Sequence, residues 1–182
     1  MFKDISFKTP NIEFGFDSIK KVGEQAKELG AKKALVVTGP HVHKAGLADQ
    51  VISYLEDASI KVKLNIQEKK TPEPTTDIAE ETSKIAADEN VDVVIGIGGG
   101  SIMDVAKIAA AMQANEGAVR DYLGKEKVTN KGLPTIMIPT TSGTGAEITK
   151  HAILLDVETD VKKAVASSKL LPDVAIVDPN LT

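Results

Sequence analysis

The stretch Val91-Asp-Val-Val-Ile-Gly-Ile-Gly-Gly-Gly-Ser-Ile-Met-Asp-Val-Ala-Lys107 constrains this chain more than any other. Four of the five residues Val91 to Ile95 are β-branched and apolar, which suits a short strand buried on both faces. Gly96, Gly98, Gly99 and Gly100 follow, with Ser101 placed to cap a helix. Ile102, Val105, Ala106 and Ala109 then recur at helical spacing. A buried strand, a loop of bare backbone and a helix N-terminus together make an anion-binding device. Glycine lets a phosphate approach the main chain, and the first turn's N–H groups carry partial positive charge. The expected ligand is the pyrophosphate of a nucleotide or dinucleotide; the alternative is a tight turn with no ligand.

Two stricter templates fail. Gly-x-x-x-x-Gly-Lys-Ser/Thr is absent, so this is not a P-loop. Gly-x-Gly-x-x-Gly nearly fits, but Ser101 occupies the third glycine position, and the stretch lies mid-chain instead of in the first strand–helix unit. An ordinary Rossmann dehydrogenase is disfavoured.

The rest of the chain repeats the alternation. Residues 1 to 16, with Ile5, Phe7, Ile12, Phe14 and Phe16 around Thr9-Pro10-Asn11, read as a β-hairpin or an extended edge arm. A helix capped by Asp17 or Ser18 ends at Gly30, and Lys33 to Thr38 is a buried strand leading to Gly39-Pro40. A helix over Ala45–Glu56, a strand over Ile60–Ile66, a rigid Thr71-Pro-Glu-Pro-Thr75 loop and a helix over Thr76–Asn90 precede the glycine-rich unit. After its helix, expected to run to Ala114, and a polar connector, Leu133–Ile138 is a strand. It enters a second ligand-type loop, Pro139-Thr-Thr-Ser-Gly-Thr-Gly-Ala-Glu147. Ile148–Leu155, Lys163–Ala166 and Asp173–Asp178 are further strand candidates. The class is therefore α/β, a largely parallel sheet flanked by helices, in one domain over residues 1–182. Ligands of such sheets sit at the carboxyl ends of strands. Thr38-Gly39-Pro40, Gly96–Ser101 and Pro139–Gly145 all meet that rule, and their convergence points to one nucleotide site.

Composition narrows the partners. A net charge of -4 argues against a nucleic-acid surface, and no apolar run approaches a membrane span. The start, Met-Phe-Lys-Asp-Ile, has no signal-peptide core, and the absence of cysteine fits the cytoplasm.

Thr140, Thr141, Ser142 and Thr144 offer hydroxyls to a ribose, amide or phosphate edge, or to their own turn. Asp104 and Lys107 share one face of the helix behind the glycines, either ordering the nicotinamide end of a cofactor or a substrate hydroxyl, or forming a surface pair worth about a few tenths of a kcal/mol. His41 and His43 have chelating spacing but lack a third ligand, so no metal site is expected in the chain. His151 is a solvated or core histidine, and Asp156, Glu158 and Asp160 read as a solvated acidic turn.

Three segments carry a resemblance: Gly98-Gly-Gly-Ser-Ile-Met-Asp-Val-Ala-Lys107, Pro139-Thr-Thr-Ser-Gly-Thr-Gly-Ala-Glu-Ile-Thr149 and Leu171-Pro-Asp-Val-Ala-Ile-Val-Asp-Pro-Asn-Leu-Thr182. With their order and spacing, the chain resembles the iron-containing (group III) alcohol dehydrogenases. The resemblance implies a Rossmann-like cofactor domain of the dehydroquinate synthase type, with an all-helical second domain absent here. It implies hydride transfer between a small alcohol or aldehyde and NAD or NADP. The pyrophosphate would lie on Gly98, Gly99, Gly100 and Ser101. Thr140, Thr141 and Thr144 would line the adenine, ribose or nicotinamide side, Lys162 would approach the ribose, and Asp104 and Lys107 would lie near the nicotinamide. Gly39 stands where many NAD-using members carry an aspartate for the ribose 2′-OH, which leans the cofactor toward NADP. Glu73 stands where members often carry asparagine. The family's iron or zinc is held by an Asp and three His that would lie beyond Thr182. The chain is thus expected to be inactive without that domain, and to be a homo-oligomer, a dimer, through its N-terminal strands. The rival readings are a stand-alone nucleotide-binding module without catalysis and half of a glycerol dehydrogenase-like enzyme.

Overall fold

In the computed structural model, which describes residues 8–68 and 73–182, the apolar runs become parallel strands and the periodic segments their crossovers. In chain order these are β1 (Asn11–Phe14), α1 (Val22–Glu28), β2 (Lys33–Thr38), α2 (Pro40–Lys44), α3 (Leu47–Asp57), β3 (Lys61–Ile66), α4 (Thr76–Asp88), β4 (Val93–Gly98), α5 (Gly100–Ala111), β5 (Gly124–Lys125), β6 (Thr135–Pro139), β7 (His151–Asp156), β8 (Val161–Ala166) and β9 (Val174–Val177). Six strands form one sheet in the order β1-β9-β6-β4-β2-β3, every pairing parallel. β5, β8 and β7 form a smaller sheet in which β7 and β8 are an antiparallel hairpin.

The period-2 alternation of strand side chains sorts the core. Val36, Ile95, Ile97, Ile136 and Ile138 point to the face covered by α1 and α3, where they meet Val22, Ala26, Val51 and Leu55. Leu35, Val37, Val94 and Met137 point to the other face, against Met103, Ala106 and Ala110 of α5 and Ala86 of α4. A third cluster joins Ile108 and Ala111 of α5 to Ala152, Leu154 and Val165 of the small sheet. Helix α5 is therefore enclosed by the main sheet, α4 and the small sheet. Its residues are almost all apolar or small, as a helix buried all round requires. Gly96 permits the approach: a Cβ there would lie 3.0 Å from both Ala106 Cβ and Met137 Sδ.

Several expectations are adjusted. Residues 11–14 of the N-terminal hairpin or arm form β1, the edge strand of the sheet among the described residues, paired in parallel with β9; the preceding arm lies outside the described residues, as do Thr71 and Pro72 of the Thr71–Thr75 loop. The helix expected over Ala45–Glu56 is α3, Leu47–Asp57, and a short helix α2 precedes it, separated from it by Gly46, which turns left-handed (φ 76°). The helix expected from Asp17 begins as a 3-10 turn over Ser18–Lys21. The strands around residue 160 leave the main sheet, since their hairpin buries Ala152 and Leu154 against α5. Asp156 is buried, not solvated: its carboxylate accepts from Glu158 N, Thr159 Oγ1 and Lys163 Nζ and meets Arg120 Nε at 3.3 Å. The Lys163 bond is the main cause that holds Asp156 below the usual carboxylate range.

Glu89, just past α4, ties the two outer strands together. Its Oε2 accepts from Lys33 Nζ on β2 at 2.8 Å and its Oε1 meets Lys63 Nζ on β3 at 2.7 Å. These hydrogen bonds, Lys33's first, draw its carboxyl from 4.5 down to about 2. A folded-state value below the unfolded one stabilises above the unfolded pKa and is lost as pH falls through the folded one. The stability gap between wild type and Glu89→Gln should therefore be open at neutral pH and close as pH drops from 4.5 to about 2. Urea midpoints measured across that range check this; a gap that does not change with pH refutes it.

Candidate functional site

The crossovers create the crevice. β2 and β4 are neighbours, but β2 leads through α2 and α3 outward to β3, whereas β4 leads through α5 the other way to β6. α3 and α5 lie on opposite faces, so the chain diverges beyond the two strand ends and leaves a gap there. Gly39 ends β2 and Gly98 ends β4, which puts both at this gap. Gly39 has φ -101°, and a Cβ added to it would meet only the Ile102 side chain, at 3.6 Å from Cδ1 and 3.8 Å from Cγ1. The backbone there does not demand glycine. What glycine provides is the absence of a side chain.

The glycine loop is built differently. β4 runs on through Gly98, Gly99 is the N-cap, and α5 starts at Gly100 with Ser101 in its first turn. Ser101 is thus one residue inside the helix instead of capping it, because strand and helix share almost no loop. No side chain caps this terminus, and Ile102 N and Met103 N already donate to Gly99 O at 3.1 and 3.2 Å. The N–H groups ahead of them, at Gly100 and Ser101, have no helical carbonyl behind them and lie at the positive end of the helix dipole. That is a seat for an anion made of main chain.

The hydroxyl loop after β6 lies directly over this seat. Thr140 N donates to Gly98 O at 3.0 Å. A Cβ on Gly99 would sit 3.5 Å from Thr141 Oγ1, and one on Gly100 would overlap Thr144, 2.5 Å from its Oγ1. Thr141, Ser142 and Thr144 are exposed, so their hydroxyls are available beside the seat. On the opposite rim, Lys162 of β8 reaches Glu73 at 2.7 Å, and Glu73 lines a recess with Gln67, Pro74, Ile78, Ser101 and Ile102. Leu155 N donates to Pro74 O at 2.8 Å, which fastens the β7–β8 hairpin to that rim. Gly39, Gly98, Gly99, Gly100, Ser101, Thr140, Thr141, Thr144 and Lys162 thus converge on one crevice.

Asp104 and Lys107 do not line it. They are neither a surface pair nor open to a cofactor, because their face of α5 is covered by β7. The Lys107 side chain has no exposed surface, and its ammonium lies 2.9 Å from Asp104 Oδ1. Burial pushes that ammonium below its ordinary pKa, against the pull of Asp104. His41 and His43 fall two residues apart on the short helix α2, which turns them to different sides; His43 Nδ1 faces Asp49 Oδ1 at 3.7 Å. Among the described residues no three His, Cys, Asp or Glu side chains converge to hold a metal ion, so these residues do not fit the metal that the resemblance implies. Nor is any helix among them long and apolar enough to cross a membrane. Gln67 and Glu68 also border the crevice, and motif reading misses them because they belong to no glycine-rich or hydroxyl-rich run. Their place immediately after β3 is the signal that could have found them.

The sequence profile of the iron-containing alcohol dehydrogenases matches residues 9–179. The chain belongs to this family. As a family member it is 44% identical over 178 residues to the long-chain-alcohol dehydrogenase 1 of Geobacillus thermodenitrificans, a match covering 95% of this chain and 44% of that protein. Its fold is similar to a crystal structure of 1,3-propanediol oxidoreductase, with TM-score 0.93, 34% identity, 99% of this chain and 47% of that one covered. It is also similar to sulfoacetaldehyde reductase from Bifidobacterium kashiwanohense in complex with NAD+, with TM-score 0.88, 30% identity, 100% of this chain and 48% of that one covered. The chain thus spans about half the length of these relatives, and its α/β sheet corresponds to that half.

The packing of Thr144 on Gly100 is testable by a double-mutant cycle. Gly100→Ala should cost about 1–3 kcal/mol by overpacking, and Thr144→Gly in the same chain should recover most of it. Gly39→Ala should stay within about 0.5 kcal/mol of wild type. Denaturant unfolding of the set decides, and additive effects at positions 100 and 144 would exclude the contact.

Proposed function

We propose that this α/β domain binds the nicotinamide dinucleotide of an iron-containing alcohol dehydrogenase. The observation that carries the proposal is the junction at Gly99, Gly100 and Ser101, where α5 begins with no side-chain cap and the lack of a Cβ on Gly100 lets Thr144 of the hydroxyl loop pack directly on the helix start. In this reading the pyrophosphate lies on Gly98–Ser101. The hydroxyls of Thr140, Thr141 and Thr144 hydrogen-bond the ribose or carboxamide edges. Lys162, already oriented by Glu73, turns its ammonium to a ribose hydroxyl. Holding the dinucleotide at fixed distance from an alcohol is what converts a rare encounter into a reaction. Bound nicotinamide would supply the hydride acceptor for oxidation of a small alcohol, or the donor for reduction of the aldehyde. Because the described residues offer no metal centre, this chain is expected to bind cofactor without turning over an alcohol. A cytoplasmic setting accords with its lack of cysteine.

Gly39 favours acceptance of NADP(H). A carboxylate at that position would bond a ribose 2′-OH and repel a 2′-phosphate, and glycine does neither. The backbone at Gly39 has room for a side chain, so Gly39→Asp tests the point without disturbing the fold. Fluorescence titration with NADPH and NADH should show both bound. Gly39→Asp should weaken NADPH by about tenfold or more while NADH holds or tightens. At least about tenfold tighter NADH binding by the wild type would overturn the NADP reading, and failure of both to bind would overturn the site.

The N-terminal strands are the proposed dimer contact. Among the described residues β1 is the edge of the main sheet, and Ile12, Phe14 and Phe16 are exposed beside it, an unusual display for one short segment. Sedimentation should show a dimer that Phe14→Lys dissociates, whereas a monomeric wild type rejects the contact.

A further inference from the structure

Lys107 is the residue whose placement the dinucleotide site leaves unexplained. Burying an ammonium costs several kcal/mol unless every donor is matched. Here the match is made by the end of the hydroxyl loop and the start of β7. Lys107 Nζ donates to Ala146 O at 3.1 Å, to Thr149 O at 3.5 Å and to His151 O, and meets Asp104 Oδ1 at 2.9 Å. Asp104 Oδ2 in turn accepts from Ile153 N at 2.9 Å. The two side chains thus grip the backbone at four points between residues 146 and 153. Ala146 then passes the constraint on, since its N–H donates to Thr144 Oγ1 at 3.3 Å, and Thr144 is the residue seated on Gly100. Asp104 and Lys107 stand on the same helix that begins with the anion seat, so seat and hydroxyl loop are fastened to one rigid body.

We propose that Lys107 and Asp104 are positioning residues for the dinucleotide, holding the Thr140–Thr149 loop in register over Gly99–Ser101 without touching the cofactor. An apolar side chain at position 107 would fill the same volume. What the ammonium adds is a fixed set of directions, because three carbonyls spaced along an irregular segment are selected only by a group with several donors. The inference rests on the dinucleotide reading of the crevice, and it separates from that reading experimentally.

The test compares wild type, Asp104→Asn, Lys107→Met and Leu55→Ala, the last a control that loosens the core on the opposite face of the sheet. Asp104→Asn keeps an acceptor for Ile153 N and removes the charge that meets Lys107. NADH and NADPH affinities are read at a temperature where each variant is folded, together with amide hydrogen exchange. Asp104→Asn should weaken dinucleotide binding by about tenfold, the scale of one hydrogen bond to a charged group, and should speed exchange at residues 144–153 selectively. Leu55→Ala, at equal or greater loss of thermal stability, should bind as wild type does. A folded Asp104→Asn variant with wild-type affinity overturns the proposal, as does equal weakening by Leu55→Ala. If the Asp104 and Lys107 variants do not fold, the wild type alone decides: added dinucleotide should slow exchange at Ala146 and Ile153 as well as at Gly100–Met103, and protection limited to the glycine loop overturns the clamp. If the wild type binds neither dinucleotide, the crevice reading fails. The clamp is then judged on exchange in Asp104→Asn alone, where unchanged exchange at residues 144–153 overturns it.

Discussion

The burial of α5 on three sides is the constraint on which the rest depends. A helix packed against a main sheet, a neighbouring helix and a second small sheet has only its ends free to meet water or ligand. Close approach to β4 requires Gly96 beneath it and small residues along it, which is why Ala106, Ala109, Ala110 and Ala111 follow one another so closely. Such a helix cannot tilt or slide without opening several interfaces at once. Its N-terminus is consequently the most rigidly held backbone at the crevice. That rigidity makes a seat composed only of main-chain N–H groups effective, because those donors are aimed by the core and not by side-chain rotamers.

The second constraint is the loop that covers the seat. Residues 141–144 are exposed, which in a loop ordinarily means mobility. Two features counter it. Thr140 N is tied to Gly98 O at the near end, and Lys107 with Asp104 holds the far end from below. The site is thus divided between a rigid half from the sheet–helix junction and an adaptable half anchored at both ends.

The parallel sheet, the helix behind the glycines and the three strand-end loops are legible in sequence because each rests on local signals: β-branched runs, helical spacing and consecutive glycines. Their convergence follows from the strand-end rule without knowledge of strand order. Other features depend on what lies across space. Spacing alone shows Asp104 and Lys107 on one helix face but cannot show that β7 covers that face, so a surface pair and a buried clamp look alike. Asp156 reads as part of a solvated turn until Arg120, Thr159 and Lys163 are seen around it. Ser101 looks like a cap because serine usually is one, yet the strand runs to Gly98 and leaves Gly99 to do the work. The pairing of Glu73 with Lys162 joins residues remote in sequence, and only the docking of the β7–β8 hairpin on Pro74 brings them together.

The charges around the crevice decide how an anion must be held there. Lys162 is a cation at the rim whose charge is already shared with Glu73, while Glu68 adds a second carboxylate to the same recess. The chain as a whole carries a net charge of -4. Among the described residues, side-chain charges therefore do little to attract a pyrophosphate, in contrast to sites that gather lysine and arginine around it. On the proposed reading the described residues attract it through oriented N–H groups and the helix dipole, which act over one turn and fall away steeply with displacement. A site of this kind is governed by geometry more than by charge. On the proposed reading its most sensitive residues are those that set distances: Gly100, which lets Thr144 pack on the helix start, Thr144 itself, and the buried Lys107 that holds the loop carrying it.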